Sequence, residues 1–246
     1  MTRRVVVING AGGALGSALS AHFAAEPGTD LVLSDISEAS LQATVDALPD
    51  ADGAVETVLA DVSDFDEVEA VVGRAMERFG RVDALISNAG VLSPNGRIHN
   101  LSTDDWRRAF DVNVLGAVNG IRAAVGVMRP QGSGSIVLTA SVSGLTAWSH
   151  AAPYCATKAA VIQLAKVAAV EYARDGIRVN CVCPGTFLSA IHADLPQEAI
   201  DPIAARHPLG LGAADDLVGA YAYLASDAAR WTTGAAMVVD GGYSAP

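Results

Sequence analysis

The chain has 246 residues, of which 51% are hydrophobic and 17% are charged, and its formal net charge is −11. This length and composition allow one α/β domain of ordinary size with a sizeable buried core, and they exclude a largely disordered chain. A nucleic-acid partner is not expected, because such a protein needs a basic patch, whereas the lysines and arginines here never cluster beyond a pair such as Arg107 and Arg108.

The first apolar run is short. It extends from Val5 to Ile8, after Arg3 and Arg4, and an asparagine and several glycines follow it at once. A signal peptide or a membrane-spanning helix needs a longer run, so this segment predicts a strand that enters a tight turn. We therefore expect no membrane partner and a cytoplasmic protein.

Short apolar runs alternate with helical stretches along the whole chain. The runs predict strands, and several of them are continuously apolar, which is typical of strands covered on both faces: 5–8, 31–33, 55–59, 84–86, 136–138, 177–182 and 237–239. The intervening segments predict helices over about 14–25, 37–48, 64–79, 102–128, 154–174 and 214–226, with N-caps at Ser37, at Ser63 or Asp64, and at Ser102. This alternation predicts an α/β fold, a single Rossmann-like doubly wound parallel sheet flanked by helices on both faces.

One segment, 186–211, fits the alternation poorly because it holds Pro196, Pro202 and Pro208 and has weak periodicity. We interpret it as an excursion over the edge of the sheet that forms a substrate lid. No internal repeat or low-complexity linker divides the chain. Residues 1–246 are therefore expected to form one domain.

The three cysteines predict neither a disulfide framework nor a metal site. Cys181 and Cys183 form a C-x-C motif, but no second pair of cysteine or histidine stands nearby. We expected their thiols to point to opposite faces of a strand, which is poor geometry for one metal ion. Together with Cys155, they are interpreted as packing residues in a reducing compartment.

A glycine-rich turn follows the first strand, and an aspartate follows the second. The turn reads N-G-A-G-G-A-L-G from Asn9 to Gly16, which lets the backbone approach a pyrophosphate at the N-terminus of the next helix. By itself, such a turn is also compatible with a purely structural strand–helix connection. Asp35 can accept hydrogen bonds from the adenosine ribose and would repel a 2′-phosphate, and no lysine or arginine lies at 11–16 or 34–40. These features predict NAD(H), unless Asp35 only caps the following helix.

Further motifs follow at mutually consistent spacings, and together they resemble the short-chain dehydrogenase/reductase family over essentially the whole chain. They are Asp61-Val62, Ser87-Asn88-Ala89-Gly90, Asn113, Ser141, Tyr154-x-x-x-Lys158, Pro184-Gly185 and Asp240-Gly241-Gly242. Asn9 and Ala14 depart from the family's T-G-x-x-x-G-x-G, and Leu211 stands where an arginine is common. The resemblance implies one dinucleotide-binding catalytic domain with these NAD-binding residues: Gly10, Gly12, Gly13, Ala14, Leu15, Gly16, Asp35, Ile36, Asp61, Val62, Asn88, Ala89, Gly90, Tyr154, Lys158, Pro184, Gly185, Phe187 and Ser189.

The expected catalytic residues are Asn113, Ser141, Tyr154 and Lys158. Tyr154 and Lys158 are four residues apart on a helix, so they share one face, and a nearby ammonium is expected to lower the pKa of the phenol towards neutrality. The resemblance implies that Lys158 also binds the nicotinamide ribose. Ser141 would orient the substrate oxygen, and Asn113 would hold a water that links Lys158 to solvent.

The expected substrate is a small to medium, largely apolar and uncharged alcohol or ketone. Its predicted contacts are Ser141, Val142, Tyr154, Trp148 and His150, and the further apolar walls are Val91, Leu92, Leu145, Phe187, Leu188, Ile191 and Leu195. A charged group would call for a placed arginine, whereas Arg97 and Arg206 stand singly in these segments.

Two alternatives remain open beside an NAD(H)-dependent alcohol dehydrogenase or ketone reductase. One is an NADPH-linked 3-oxoacyl thioester reductase, which Asp35 disfavours, and the other is a non-catalytic NAD-sensing protein, which would not need both Tyr154 and Lys158. The segments 102–128 and 154–174 carry apolar residues on more than one face. A homotetramer is therefore expected, with a dimer as the minimum.

Overall fold

The computed structural model describes residues 3–189 and 197–245, apart from the side chains at 197 and 199. In this part of the chain, seven parallel strands form one sheet in the order β3-β2-β1-β4-β5-β6-β7. The strands are Arg4–Asn9 (β1), Thr29–Asp35 (β2), Val55–Leu59 (β3), Ala84–Ser87 (β4), Gly134–Thr139 (β5), Ile177–Pro184 (β6) and Ala236–Val239 (β7). The predicted doubly wound fold is confirmed.

Helices cover both faces of this sheet. The described helices are Ala14–Ala25 (α1), Glu38–Asp46 (α2), Phe65–Phe79 (α3), Thr103–Phe110 (α4), Gly116–Gln131 (α5), Ala152–Tyr172 (α6), Gln197–Ala204 (α7) and Ala214–Ala225 (α8). Alternate residues of β1 enter different cores: Val5 and Val7 pack with α3, α5 and α6, whereas Val6 and Ile8 pack with α1, α2 and α8. Burial on both faces explains why the strands are continuous apolar runs.

Side-chain caps fix where three helices begin. Ser37 accepts a hydrogen bond from the Ser40 amide, and Ser102 forms a reciprocal capping box with Asp105. For α3 the cap is Asp64, whose carboxylate accepts from two amides of the first turn, and not the alternative Ser63. A carboxylate at this position also interacts favourably with the positive end of the helix dipole.

The predicted helix 102–128 is interrupted and ends later than expected. A π-helical turn, Asp111–Leu115, separates α4 from α5, and α5 continues to Gln131. The wider turn carries Asn113 into the protein interior, where its side chain bonds the backbone of Val91. Such single π turns are frequent at functional sites.

The expectation that Cys181 and Cys183 face opposite ways is wrong. Side chains two residues apart on a strand point to the same face, and both cysteines lie in the core beneath α5 and α6. They are free thiols, as is Cys155. Among the described residues, no three histidine, cysteine or acidic side chains gather in a way that could hold a metal ion.

The segment after β6 leaves the sheet and returns. Phe187 pairs with Gly212 at its base, and α7 lies between them with Pro202 inside the helix. The predicted wall residues Ile191 and Leu195, and Pro196, lie outside the described residues. Of the helices that the structure describes, none combines the length and apolar character that a membrane span requires.

Candidate active site

The candidate site lies at the carboxyl ends of the parallel strands, where open α/β sheets bind ligands. One cavity of about 630 Å³ is lined by Gly10, Asp35 and Asp61, and a second of about 620 Å³ is lined by Ser141, Tyr154 and Lys158. The two cavities share Gly13, Asn88, Gly90 and Val91. Together they form one groove that could hold an extended ligand such as a dinucleotide.

The glycine turn after β1 lines both cavities. Gly10 adopts φ +71°, and a Cβ there would lie 2.6 Å from the backbone of Ala89, so only glycine fits. The Asn88 amide donates to the Gly10 carbonyl at 2.9 Å, which ties the turn to the end of β4. Asn9, in the place of the family's threonine, accepts from the Ser34 hydroxyl at 2.8 Å.

Asp35 is held in place by two backbone amides. Its carboxylate accepts from Gly12 at 2.9 Å and from Ser37 at 3.0 Å, while Ser37 itself caps α2. Asp35 therefore does more than cap the helix, and a carboxylate has about four acceptor positions, so two remain for ribose hydroxyls. Its fixed position and its place in the first cavity fit an adenosine ribose.

Most of the other expected cofactor residues line the same groove, whereas Gly12 and Gly16 line neither cavity. Ile36, Asp61, Val62 and Ala89 line the adenosine-end cavity, whereas Ala14, Leu15, Pro184, Gly185, Phe187 and Ser189 line the cavity that contains Tyr154. Arg107 and Arg108 of α4 also line the first cavity, which the sequence did not indicate. Arg107 pairs with Asp104 at 3.1 Å, and no ion pair of Arg108 occurs within residues 3–189 and 197–245.

Ser141, Tyr154 and Lys158 come together at the inner end of the second cavity. The Ser141 hydroxyl accepts from the Ser143 amide at 3.1 Å and lies near enough to the Tyr154 phenol to lower its pKa. The Lys158 ammonium lies 5.7 Å from the centroid of the Tyr154 ring and donates to the Thr139 carbonyl at 2.8 Å. The 3₁₀ turn after Ser141 packs closely on α6, because a Cβ at Gly144 would lie 2.7 Å from the Lys158 backbone. This approach fixes the serine against the helix that carries the other two residues.

Burial dominates the pKa values of this pair. Lys158 is only 3% exposed, and loss of hydration lowers its pKa from 10.5 to about 8. Burial raises the pKa of Tyr154, and the hydrogen bond from Ser141 only partly opposes this rise. The expectation that Lys158 would bring the phenol towards neutrality is therefore not met, because the ammonium sits over the ring and bonds Thr139.

Asn113 connects the loop after β4 to α6. Its side-chain oxygen accepts from the Val91 amide at 2.8 Å, and its amide donates to the Val91 carbonyl and the Thr157 hydroxyl, each at 3.0 Å. Thr157 in turn donates to the Tyr154 carbonyl at 2.7 Å. Asn113 thus positions α6, and one lone pair of its oxygen remains for a water.

Some predicted substrate contacts lie in the cavity and others do not. Trp148, Val91, Leu92 and Phe187 line it together with Ser141 and Tyr154. Val142 is fully buried beneath the cavity, Leu145 and Leu188 are exposed elsewhere, and none of these three is a lining residue. His150 is also absent from the lining, because it sits at φ +68° on an exposed loop, where its ring bonds Ser149 at 2.8 Å.

The structure adds lining residues that the sequence analysis did not assign to the substrate. Pro202, Ile203 and Arg206 reach the cavity from α7 and the residues after it, and Tyr243 reaches it from the C-terminal segment. Tyr243 directly follows the D-G-G motif, and that position was the only sequence signal available for it. The lid hypothesis for 186–211 was the corresponding signal for Ile203 and Arg206.

Known proteins resemble this chain over its whole length. A family model described as enoyl-(acyl carrier protein) reductase matches residues 10–244. Cis-4-hydroxycyclohexanecarboxylate dehydrogenase of Sinomonas cyclohexanicum is 39% identical, covering 98% of this chain and 97% of its own. Meso-2,3-butanediol dehydrogenase of Serratia marcescens is 40% identical, covering 98% and 95%.

A solved structure shows the same correspondence. The crystal structure of levodione reductase has a TM-score of 0.94 at 34% identity and covers 100% of this chain and 99% of its own. The relatives are named as dehydrogenases and reductases of alcohols, diols and ketones, which supports an alcohol/ketone oxidoreductase. The fold, the ordered motifs and these matches agree, and the chain belongs to the short-chain dehydrogenase/reductase family.

Proposed function

We propose that this protein is an NAD(H)-dependent oxidoreductase that interconverts a secondary alcohol, or a diol, and a ketone, with Tyr154 as general acid/base. The observation that carries the proposal is the grouping of Ser141, Tyr154 and buried Lys158 at the inner end of one continuous groove. Burying the Lys158 ammonium costs folding free energy, and this cost supports a functional role for the residue.

In the oxidation direction, the residues act on the substrate oxygen. Ser141 hydrogen-bonds that oxygen and holds the hydroxyl against the Tyr154 phenolate, which takes its proton as the carbonyl forms. The bound nicotinamide supplies the hydride acceptor for the carbinol carbon, or the hydride donor in reduction. Lys158 donates a hydrogen bond to the Thr139 carbonyl, and its own pKa of about 8 lets it exchange protons near neutral pH.

The names of the relatives support a secondary alcohol with a compact carbon skeleton. One relative acts on a hydroxycyclohexanecarboxylate, one on a butanediol, and levodione reductase on a dione. The cavity walls Val91, Leu92, Trp148 and Phe187 favour the same class of largely apolar body. The described residues at both ends of the predicted lid, among them Phe187, Ile203 and Arg206, cover this cavity within the single domain.

The choice of cofactor gives the first prediction. Wild-type enzyme is expected to favour NAD⁺ over NADP⁺ in kcat/KM on the order of 100-fold, because a 2′-phosphate would face the Asp35 carboxylate. Asp35→Ala removes the repulsion and is expected to lower the ratio of kcat/KM for NAD⁺ to that for NADP⁺ about tenfold. Steady-state assays with a panel of cyclic alcohols and diols measure both. Glu38→Ala, an exposed change three residues away that does not line the cavity, is the matched control.

A preference for NADP⁺ would overturn the cofactor assignment and favour the 3-oxoacyl thioester reductase, the second candidate. The observation that favours this second candidate is that Arg108 lines the adenosine-end cavity. In that case Arg108→Gln would abolish the NADP⁺ preference, and a 3-oxoacyl thioester would replace the cyclic ketone as substrate.

The oligomeric state gives the second prediction. Val167 and Val170 of α6 are 44% and 81% exposed, and Phe110 and Leu115 beside the π turn are exposed as well. Exposed apolar side chains on packed helices are typical of subunit interfaces, so we propose a homotetramer. Light scattering is expected to show a tetramer at micromolar concentration, and Val170→Glu is expected to lower the mass. A wild-type monomer under these conditions would contradict the proposal.

A further inference from the structure

An exposed arginine, Arg206, lines the substrate cavity. Arg206 follows α7 and lines the cavity beside Ile203, with its guanidinium carbon 4.6 Å from the centroid of the Tyr243 ring. No carboxylate in the described part of the chain forms an ion pair with Arg206. The acidic group nearest in sequence to Tyr243, Asp240, is occupied by the Gly242 amide and by the amide and hydroxyl of Ser244.

Two further hydrogen-bond donors of the same wall lack an acceptor. The indole nitrogen of Trp148 and the hydroxyl of Tyr243 are shielded from water and have no hydrogen-bond partner within residues 3–189 and 197–245. Tyr243 is only 8% exposed. An unsatisfied buried donor is costly, and these two donors belong to side chains that line the cavity with Arg206.

Contacts between aromatic rings lead from these two donors to Tyr154, where the reaction is proposed to occur. The Trp148 ring centroid lies 6.2 Å from that of Tyr154 and 6.2 Å from that of Tyr243, over which Arg206 stacks. A substrate with its carbinol carbon at Tyr154 therefore lays its apolar body along Trp148. Its opposite end then meets Arg206.

We infer that the substrate carries a carboxylate at the end opposite its carbinol carbon, as in an alicyclic or aryl hydroxy acid or the matching oxo acid. The inference rests on the proposed function, because it takes Tyr154 as the reacting end. The fork of Arg206 matches the two oxygens of a carboxylate, and Trp148 and Tyr243 line the cavity beside it. A phosphate carries more charge than one arginine offsets. This assignment replaces the expectation of an uncharged substrate.

A binding experiment tests the site without turnover. In the presence of NADH, cyclohexanecarboxylate is expected to raise the Tm of the wild-type protein more than the isosteric cyclohexanecarboxamide does. Arg206→Gln is expected to remove this difference, and Arg206→Lys to keep part of it, because a lysine retains the charge but not the fork. Arg97→Gln removes an exposed arginine that does not line the cavity and is expected to change nothing.

A kinetic experiment tests the same site during the reaction. The readout is the ratio of kcat/KM for 4-hydroxycyclohexanecarboxylate to that for its carboxamide with NAD⁺. We expect a ratio of about tenfold or more in the wild type, a value near one in Arg206→Gln, and an unchanged ratio in Arg97→Gln.

The two experiments separate the inference from the function on which it rests. Turnover of both alcohols with a ratio that Arg206→Gln leaves unchanged would overturn the carboxylate site and keep the dehydrogenase. Tighter binding of the carboxylate without oxidation of any alcohol would overturn the dehydrogenase and keep the site. Preference for the carboxamide in both assays would overturn the carboxylate site outright.

Discussion

The Tyr154→Phe variant is expected to lose alcohol oxidation by about 10³-fold in kcat, because positioned acid–base catalysis contributes on this scale and only the titrating hydroxyl is removed. The ring and its contact with Trp148 remain, so NADH affinity is expected to stay within about twofold. Stopped-flow or steady-state rates measure the first effect, and NADH fluorescence titration measures the second.

The control for this variant is Tyr223→Phe. Tyr223 lies on the exposed side of α8, where its hydroxyl bonds Thr232 at 3.0 Å, and its loss is expected to leave the rate unchanged. Retention of a tenth of the wild-type kcat by Tyr154→Phe would show that another group transfers the proton.

Lys158→Met is expected to abolish turnover while making the protein more stable at pH 7. The fall of the Lys158 pKa from 10.5 to about 8 corresponds to about 3 kcal/mol of unfavourable burial of the charge. Losing the hydrogen bond to Thr139 costs about 1 kcal/mol in return. The net gain in unfolding free energy is therefore about 2 kcal/mol, which urea denaturation can measure.

The gain in unfolding free energy of Lys158→Met depends on pH in a definite direction. The unfolded chain keeps the lysine protonated up to about 10.5, whereas the folded chain releases the proton near 8, so wild-type stability rises with pH between these values. The advantage of Lys158→Met is therefore full at pH 7 and smaller at pH 9.5. Lys166→Met, the same change on the exposed side of α6, is expected to show no such trend. A destabilised Lys158→Met at pH 7 would contradict the account.

The sheet was predictable because its strands carry a strong signal. Both faces of β1, β2, β4, β5 and β6 are covered, so each of these strands carries apolar residues on both faces. The proposed catalytic residues were predictable from the family's motifs, and the structure brings Ser141, Tyr154 and Lys158 to one cavity. Tyr154 and Lys158 share a helix face, and Ser141 follows β5 directly.

Other features depend on contacts between distant segments, which no local pattern encodes. The π turn at Asn113 exists because that side chain bonds Val91 and Thr157, from two other elements. Arg206 and Tyr243 meet in one cavity only through the return path after β6 and the C-terminal segment. The spacing of the two residues correctly predicted that Lys158 lies beside Tyr154. The direction in which the pKa of the phenol shifts, however, depends on burial.

One error came from the sequence reasoning itself. Cys181 and Cys183 were expected on opposite faces, although a period of two puts them on the same face of β6. The expectation of no metal rested partly on that argument, and its remaining support is the absence of further ligand residues nearby in the sequence.

Transfer of the carbinol hydrogen itself is the most direct test of the central claim. A secondary alcohol deuterated at the carbinol carbon, 4-hydroxycyclohexanecarboxylate or 2,3-butanediol, is incubated with the enzyme and NAD⁺, and the recovered NADH is analysed by mass spectrometry and NMR. The account predicts one deuterium per NADH, at C4 of the nicotinamide, with formation of the ketone, and product formation about 10³-fold slower in the Tyr154→Phe variant. Ketone formation with unlabelled NADH, or no oxidation of any secondary alcohol with NAD⁺, would contradict it.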